Sequence, residues 1–183
     1  MAQDPGRVFT GRVTWHLTAE AFAAAAGLVA DHERPYRPDV VVGLARGGVP
    51  LARRVAELLQ VPVAEVSVRH NTSDDLALPA SGRVTLDEGA LLKAVAGADR
   101  VLVTDDICGS GATLHAMHHL LLWNTQAQLR TAALCRNAGT TFPVDTWVYG
   151  VDDWVVFPWE AAPPPGHTRL PVPTRLFTTP EAP

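Results

Sequence analysis

The chain has 183 residues, which suffices for one domain with a substantial core but not for two of ordinary size. It is 47% hydrophobic and 19% charged with a net charge of −4, so it lacks the basic field that nonspecific nucleic-acid binding requires. No stretch approaches the roughly 18 consecutive apolar residues of a membrane span, and the N-terminus lacks the layout of a signal peptide. We therefore expect a cytoplasmic protein with no nucleic-acid partner and no membrane association.

The predicted elements alternate between strands and helices along the chain. Apolar, β-branched runs predict the strands, and helical periodicity predicts the helices between them. In chain order these are a helix over 21–30, a strand over 39–44, a helix over 51–59, a strand over 61–68, a strand beginning at 101, a helix over 111–123, and strands over 130–135 and 148–151. This alternation indicates an α/β fold with a mainly parallel sheet that is covered on both faces.

Two segments fall outside this alternation. Residues 69–89 are polar and rich in turn residues, which predicts a hairpin or a mobile excursion. Residues 161–183 are rich in proline and predict an extended C-terminal tail that follows a domain over 1–160.

Two adjacent carboxylates, Asp105 and Asp106, follow the apolar run that begins at Val101. Such a pair repels itself unless a cation or hydroxyl donors lie nearby, and Mg²⁺ prefers oxygen ligands. The small residues that follow let backbone N–H groups approach a phosphate at the start of the next helix. An alternative that remains open is a solvent-exposed turn between strand and helix, capped by acids.

Residues 101–113, VLVTDDICGSGAT, resemble the phosphoribosyl pyrophosphate signature of type I phosphoribosyltransferases. The stretches VTWHLTAEAF, VVVGLARGGVPLARRVAELL and DDWVVFPWE are similar in order and spacing to xanthine-guanine and hypoxanthine phosphoribosyltransferases of bacteria and archaea. The resemblance implies a type I phosphoribosyltransferase fold, a mainly parallel sheet flanked by helices, with a small hood and a flexible catalytic loop. That loop falls within residues 69–89, where Arg69, His70 and Arg83 are candidates to cover pyrophosphate.

The resemblance also implies roles for the acid pair and for the first glycine turn. Asp105 and Asp106 would hold the ribose hydroxyls and the cofactor Mg²⁺, with Asp106 as the metal-side carboxylate. Arg46 would act with them in catalysis, and the bond from Ala45 to Arg46 is where the family often has a cis peptide. An exposed arginine on a tight turn is the alternative for Arg46. The implied donor-binding residues are Arg46, Gly47, Asp105, Asp106, Ile107, Cys108, Gly109, Ser110, Gly111, Ala112 and Thr113.

The implied acceptor-binding residues lie later in the chain. Trp154 falls on the aromatic residue that stacks on a purine, although a tryptophan in such a segment is also typical of a core or hood. Val155 would contact the base edge through its backbone, and Glu160 matches an acid near the metal or the exocyclic amine. Two positions depart from the 6-oxopurine enzymes: Arg136 stands in place of a lysine, and Gly109 in place of an aspartate that faces the purine ring.

Three functions therefore remain open at the level of sequence. The first is transfer of 5-phosphoribosyl from phosphoribosyl pyrophosphate to a purine such as guanine, xanthine or hypoxanthine, with release of pyrophosphate. The second is transfer to a metabolite that is not a nucleobase. The third is a non-catalytic regulator that binds phosphoribosyl pyrophosphate. The resemblance implies a homodimer or homotetramer in each case.

Overall fold

The structure, a computed structural model, describes residues 6–70 and 84–179. Its helices are α1 (Ala19–Glu33), α2 (Val49–Leu59), α3 (Glu88–Ala94) and α4 (Ala112–Asn124), with a 3-10 turn at Arg34–Tyr36. Its strands are β1 (Thr14–His16), β2 (Val40–Ala45), β3 (Val63–His70), β4 (Val84–Leu86), β5 (Arg100–Cys108), β6 (Gln128–Asn137), β7 (Thr146–Val151), β8 (Trp154–Val156), β9 (Thr168–Arg169) and β10 (Phe177–Thr178). None of these helices is both long and apolar enough to cross a membrane.

The main sheet has the strand order β10-β7-β6-β5-β2-β3-β4. The strands from β7 to β3 pair in parallel, and the outer strands β10 and β4 pair antiparallel with their neighbours. Helices α1 and α2 pack on one face of the sheet, while α3 and α4 pack on the other. The predicted α/β fold with a mainly parallel sheet is therefore confirmed.

The first two helices show why the sequence folds in this way. The side chain of Thr18 caps α1 by accepting a hydrogen bond of 3.1 Å from the backbone N–H of Ala21. The alanines of α1 are small enough to bring it close to the sheet, and Ala21 and Ala25 are fully buried. On α2, Leu51 and Val55 are also fully buried, and each such side chain contributes about 1.5–3 kcal/mol to stability.

A smaller sheet with the order β8-β1-β9 forms a hood beside the main sheet. Its strands pair in parallel, with Thr14 opposite Trp154 and Trp15 opposite Thr168. The hood was predicted only through the resemblance, because strands of two or three residues carry no periodicity of their own.

The proline-rich segment that follows residue 160 packs on both sheets. It supplies β9 to the hood, and β10 pairs with β7 so that the ring of Phe177 stacks on Trp147 at 6.0 Å between centroids. The hydroxyl of Tyr149 also donates to the carbonyl of Pro171 at 2.8 Å. The division of the chain at residue 160 stays a prediction, but the described part of the segment is held by pairing and packing at several points.

The segment 69–89 begins and ends as a hairpin, because β3 and β4 pair antiparallel with Val68 opposite Leu86. Residues 71–83, and with them Arg83, lie outside the described residues, as do the side chains of Arg69 and His70. The predicted catalytic loop therefore stays a prediction. Helix α3 was not predicted. Its start is set by Asp87, whose side chain accepts a hydrogen bond of 3.0 Å from the backbone N–H of Ala90.

Candidate functional site

The candidate site lies where β2, β5 and β6 end. These strands are parallel neighbours, so their carboxyl ends meet at one edge of the sheet, where ligands of such folds bind. Strand β5 runs to Cys108, so Asp105 and Asp106 lie within the strand. The register places Cys108 opposite Arg136 on β6. Several predicted donor and acceptor residues are thus brought to one region.

The glycine turn after β2 is pressed against the acid pair. The bond from Ala45 to Arg46 is cis, as the resemblance implied. Gly47 lies so close to Asp106 that a Cβ atom there would overlap the carboxylate. A Cβ atom on Gly48 would likewise overlap the backbone carbonyl of Thr104. Only glycines allow this close approach. The side chain of Arg46, on the same turn, is exposed.

The surroundings of the acid pair disfavour the ionised forms of both carboxyl groups. Burial raises the pKa of Asp105 well above its usual range, and the negative charge of Asp106 raises it further. Burial also raises the pKa of Asp106, although the backbone N–H of Ile107 donates to it at 2.7 Å and opposes the shift. A bound cation or hydroxyl donors would therefore stabilise the ionised pair.

The acid pair fits Mg²⁺ only in company with a ligand. Within the described residues, no group of three or more His, Cys, Asp or Glu side chains is arranged to hold a metal ion. Mg²⁺ commonly binds proteins through one or two carboxylates, with substrate phosphates and water as the remaining ligands. Asp105 and Asp106 match that arrangement, provided that a phosphate-bearing ligand binds beside them.

The phosphate loop between β5 and α4 offers backbone N–H groups. Gly111 adopts a φ of +89° and packs against Phe142, which brings the chain into α4 in a conformation that suits glycine. The Oγ of Ser110 accepts a hydrogen bond of 3.4 Å from the N–H of Ala112. A cavity of about 210 Å³ borders the loop. It is lined by Ser110, Gly111, Ala112, His115, Thr141, Phe142 and Pro143.

Cys108 belongs to the packing below this loop. Its thiol is 1% exposed and lies 3.2 Å from the hydroxyl of Thr140. Burial raises the pKa of the thiol to about 11, so the group is neutral at ordinary pH. Cys108 was predicted to bind phosphoribosyl pyrophosphate. Its thiol points into the packing, so such a contact would have to come from its backbone.

Trp154 is 36% exposed and is covered by two residues that the sequence analysis missed. The ring of Phe9 stacks on Trp154, with 6.0 Å between centroids and 24° between planes. The guanidinium of Arg7 lies 5.5 Å from the centroid of Trp154 and 5.0 Å from that of Phe9. Val155 is buried, and a contact of its backbone with a ligand stays a prediction.

Arg7 faces the acidic side of the site. Burial lowers the pKa of Arg7, and the negative charges of Asp106, Glu160 and Asp105 oppose that shift. A Cβ atom on Gly109 would lie 3.3 Å from Cδ of Arg7, which is a tight contact. Arg7 therefore fills the space that a side chain at position 109 would occupy.

Arg7 and Phe9 belong to an N-terminal arm, which we define as residues 6–13. Val8 exchanges two hydrogen bonds with the buried side chain of Asn137, at 2.7 and 2.9 Å. Asp153 accepts hydrogen bonds from the Thr10 hydroxyl and from the backbone N–H groups of Gly11, Arg12 and Val13. Desolvation of Asp153 would raise its pKa, but these hydrogen bonds outweigh it and hold the pKa at about 2.

No motif marks the arm in the sequence. The one available signal is the acid beside Trp154, since Asp153 needs donors that its neighbours in the chain do not supply. Those donors come from about 140 residues earlier in the chain, and the pairing is therefore visible only in three dimensions.

The remaining predicted acceptor residues have other partners in this structure. The guanidinium of Arg136 lies 5.1 Å from the centroid of Trp147 and donates to the carbonyl of Thr140 at 3.4 Å. The carboxylate of Glu160 accepts a hydrogen bond of 2.9 Å from the N–H of Phe157. Contacts of Arg136 and Glu160 with an acceptor stay predictions.

Known proteins are similar to this chain in sequence and in fold. The family model described as phosphoribosyl transferase domain matches residues 16–164. The adenine phosphoribosyltransferase of Frankia casuarinae is 31% identical over 125 residues, and the match covers 64% of this chain and 64% of that protein. This chain thus spans a little less than two thirds of the length of that curated relative.

Two solved structures extend the comparison. The purine phosphoribosyltransferase of Pyrococcus horikoshii Ot3 has a TM-score of 0.66 at 26% identity, covering 82% of this chain and 96% of that one. The xanthine-guanine-hypoxanthine phosphoribosyltransferase of Helicobacter pylori has a TM-score of 0.60 at 19% identity, covering 80% and 91%, and it supports the fold alone. Since the family model spans both glycine turns and the hood strand of Trp154, the chain belongs to the phosphoribosyl transferase domain family.

Proposed function

We propose that this protein is a Mg²⁺-dependent phosphoribosyltransferase that moves 5-phosphoribosyl from phosphoribosyl pyrophosphate to a purine base. The observation that carries the proposal is the contact of Gly47 with the carboxylate of Asp106, beside a phosphate loop and an exposed Trp154. The relatives support it as well, because the F. casuarinae and P. horikoshii proteins are an adenine and a purine phosphoribosyltransferase.

The donor molecule would be held by two kinds of hydrogen bond: the protein accepts from its ribose hydroxyls and donates to its phosphates. The carboxylates of Asp105 and Asp106 accept hydrogen bonds from the ribose hydroxyls. The backbone N–H groups of the loop from Gly109 onward, with the positive end of α4, bind the 5′-phosphate. Arg46, exposed on the turn that touches Asp106, donates to the diphosphate.

Mg²⁺, when bound, would neutralise negative charge on the departing pyrophosphate. Asp106, with Asp105 beside it, is the carboxylate that would hold it. The raised pKa values of the two acids support this role, since burial outweighs the positive charge of Arg7 and disfavours their ionised forms.

The acceptor would stack on the indole of Trp154, which is 36% exposed and which Phe9 and Arg7 cover in this structure. The backbone of Val155 would contact the base edge, and Glu160 and Arg136 would supply polar contacts around it. The lone pair of an acceptor ring nitrogen forms the bond to C1 of the sugar. The bond from C1 to the diphosphate oxygen breaks, and its electron pair leaves with pyrophosphate. The proton that the nitrogen loses goes to pyrophosphate or to water.

A turnover assay tests the proposal. The protein is incubated with phosphoribosyl pyrophosphate and Mg²⁺ against guanine, xanthine, hypoxanthine and adenine separately, and both pyrophosphate and nucleotide are measured. Equal amounts of pyrophosphate and one purine nucleotide are expected. Donor binding without nucleotide formation from any of the four purines would contradict it.

A second candidate function is transfer to an acceptor that is not a nucleobase. It is favoured by the contact of Arg7 with Gly109, because the 6-oxopurine enzymes that the chain resembles have an aspartate in place of Gly109. The same assay separates the two, since a non-nucleobase acceptor leaves all four purines unchanged.

We further propose that the protein forms a homodimer or homotetramer and acts in the cytoplasm. Sedimentation velocity of the purified protein tests the first point, and a monomer at micromolar concentration would contradict it. Fractionation of the source cells tests the second.

A further inference from the structure

The N-terminal arm closes one side of the proposed acceptor site. Phe9 is 45% exposed and covers Trp154, which is itself 36% exposed. The guanidinium of Arg7 lies near both rings, at 5.0 and 5.5 Å from their centroids. Two side chains of the arm therefore occupy the face of Trp154 on which an acceptor would stack.

The backbone of the arm is fixed at both ends. Asn137, which is fully buried, holds Val8 through two hydrogen bonds, and Gly139 packs against the same part of the arm. Asp153 holds the other end through the Thr10 hydroxyl and three successive backbone N–H groups. An acceptor therefore meets a fixed backbone, and only the side chains of Arg7 and Phe9 need to move.

Arg7 carries one buried donor without a partner. Its Nε atom is buried and has no hydrogen-bond partner among the described residues. A buried donor without a partner costs about 1–3 kcal/mol, so its placement at an open site points to a ligand group. A guanidinium has donors only, which restricts that group to one with lone pairs or negative charge.

Gly109 makes this placement possible. A Cβ atom at position 109 would lie only 3.3 Å from Cδ of Arg7. A side chain at position 109 would therefore lie against the stem of Arg7. Because Gly109 has no side chain, the stem of Arg7 has room to pack against it.

We propose that Arg7 is a specificity-determining residue that contacts the acceptor, an inference that rests on the proposed function. As the acceptor stacks on Trp154, the guanidinium moves from the ring face to the acceptor edge beside Gly109. There it donates hydrogen bonds to carbonyl oxygens, ring nitrogens or negative charge. Phe9, on the same fixed backbone, packs against the acceptor. Arg7 binds and orients the acceptor but takes no proton, since its guanidinium stays charged.

The test compares Arg7→Gln, which removes the charge at similar length, with Arg7→Lys, which keeps the charge but not the planar fork. Arg12→Gln is the matched control, because Arg12 lies on the same arm and its side chain is exposed. For each protein, kcat/KM is measured for the four purines, and the Kd of phosphoribosyl pyrophosphate with Mg²⁺ is measured without acceptor.

In Arg7→Gln, we expect kcat/KM for the acceptor to fall by about tenfold to a hundredfold, as for the loss of a hydrogen bond to a charged group. The loss should be larger for the oxygen-bearing purines than for adenine, whose exocyclic amine is a donor. Donor Kd should be unchanged, Arg7→Lys should lie between, and Arg12→Gln should match the wild type.

Two results would overturn the inference while the proposed function stands. One is unchanged kcat/KM for every acceptor in Arg7→Gln. The other is tighter donor binding with unchanged acceptor kinetics, which would make Arg7 a counter-ion of the acid pair. If the wild type converts no purine, the proposed function fails. The role of Arg7 is then tested by titrating the same purines into the wild type and into Arg7→Gln. Weaker binding to Arg7→Gln then supports the inference, and equal binding or none overturns it.

Discussion

At the residue scale, the acid pair combines a cost in stability with a proposed role in binding. Burial raises the pKa values of Asp105 and Asp106 even though Arg7 opposes the shift, so their ionised forms are unfavourable in the free protein. Changing both to Asn removes this repulsion and removes the acceptors for ribose and metal. We expect a folded variant, at least as stable as the wild type, whose affinity for the donor is at least about a hundredfold lower.

Calorimetric titration of phosphoribosyl pyrophosphate with Mg²⁺, together with thermal unfolding, checks this prediction. Asp31→Asn is the control, because Asp31 lies on the exposed side of α1 with 77% of its side chain accessible. Unchanged donor affinity in the double variant would remove the acid pair from the donor site.

Trp154 allows a second prediction at this scale. Its exposed indole stacks with Phe9 in the free protein and would stack with the acceptor when it binds. Trp154→Ala should weaken acceptor binding by about 1–3 kcal/mol, the usual value of stacking on one base. Trp123→Ala is the control, since Trp123 is 77% exposed on α4. Equal acceptor affinity in both variants would return Trp154 to a purely structural role in the hood.

At the element scale, a single carboxylate holds the C-terminal end of the arm. Asp153 accepts from the Thr10 hydroxyl and three backbone N–H groups, and Asp153→Ala leaves all of them without a partner. We expect trypsin to cleave the variant after Arg7 and Arg12 faster than the wild type, by about tenfold or more for a loss of a few hydrogen bonds. Asp152→Ala is the control, and similar cleavage rates in both variants would mean that the arm is held elsewhere.

The contact between α1 and the sheet predicts a pH dependence of stability. Glu33 is fully buried, and burial raises its pKa from 4.5 to about 7 even though Arg130 lies 3.0 Å away. A carboxyl group whose pKa is higher in the folded state stabilises the fold below pH 4.5, and that contribution is lost as the pH rises through about 7.

Glu33→Gln should therefore become more stable relative to the wild type between pH 4.5 and 8, by up to about 3 kcal/mol in the free energy of unfolding. Urea unfolding at several pH values measures this difference. Glu20→Gln, on the exposed side of the same helix, should show no such trend. A difference that is constant with pH would mean that Arg130 compensates fully for the burial of Glu33.

The elements also show what a sequence can predict. The strand before Arg46 and the helix after Gly111 were predicted because continuous β-branched runs and helical periodicity are local signals. Strands β1 and β8 have three residues each and are held by pairing between Thr14 and Trp154. The arm is held in the same non-local way. Local patterns could therefore predict the donor half of the site but not the cover over Trp154.

At the scale of the whole molecule, the proposed donor site would link two halves of the chain. The turn at Gly47 and the strand of Asp106 come from separate βα units that pack on each other at the sheet edge. A donor that binds both would stabilise the folded state as a whole. At a concentration of 100 times Kd, such a ligand adds about 2.7 kcal/mol to the free energy of unfolding.

For a chain of this size, each kcal/mol raises Tm by about 2–4 °C, so saturating phosphoribosyl pyrophosphate with Mg²⁺ should raise Tm by about 5–10 °C. Because the buried carboxylates need a counter-charge, the shift should fall sharply when EDTA removes Mg²⁺, and it should vanish in the double Asn variant. Differential scanning fluorimetry measures all three cases. An equal shift with and without Mg²⁺ would mean that the acid pair binds the ribose without a metal ion, and that Mg²⁺ acts on pyrophosphate alone.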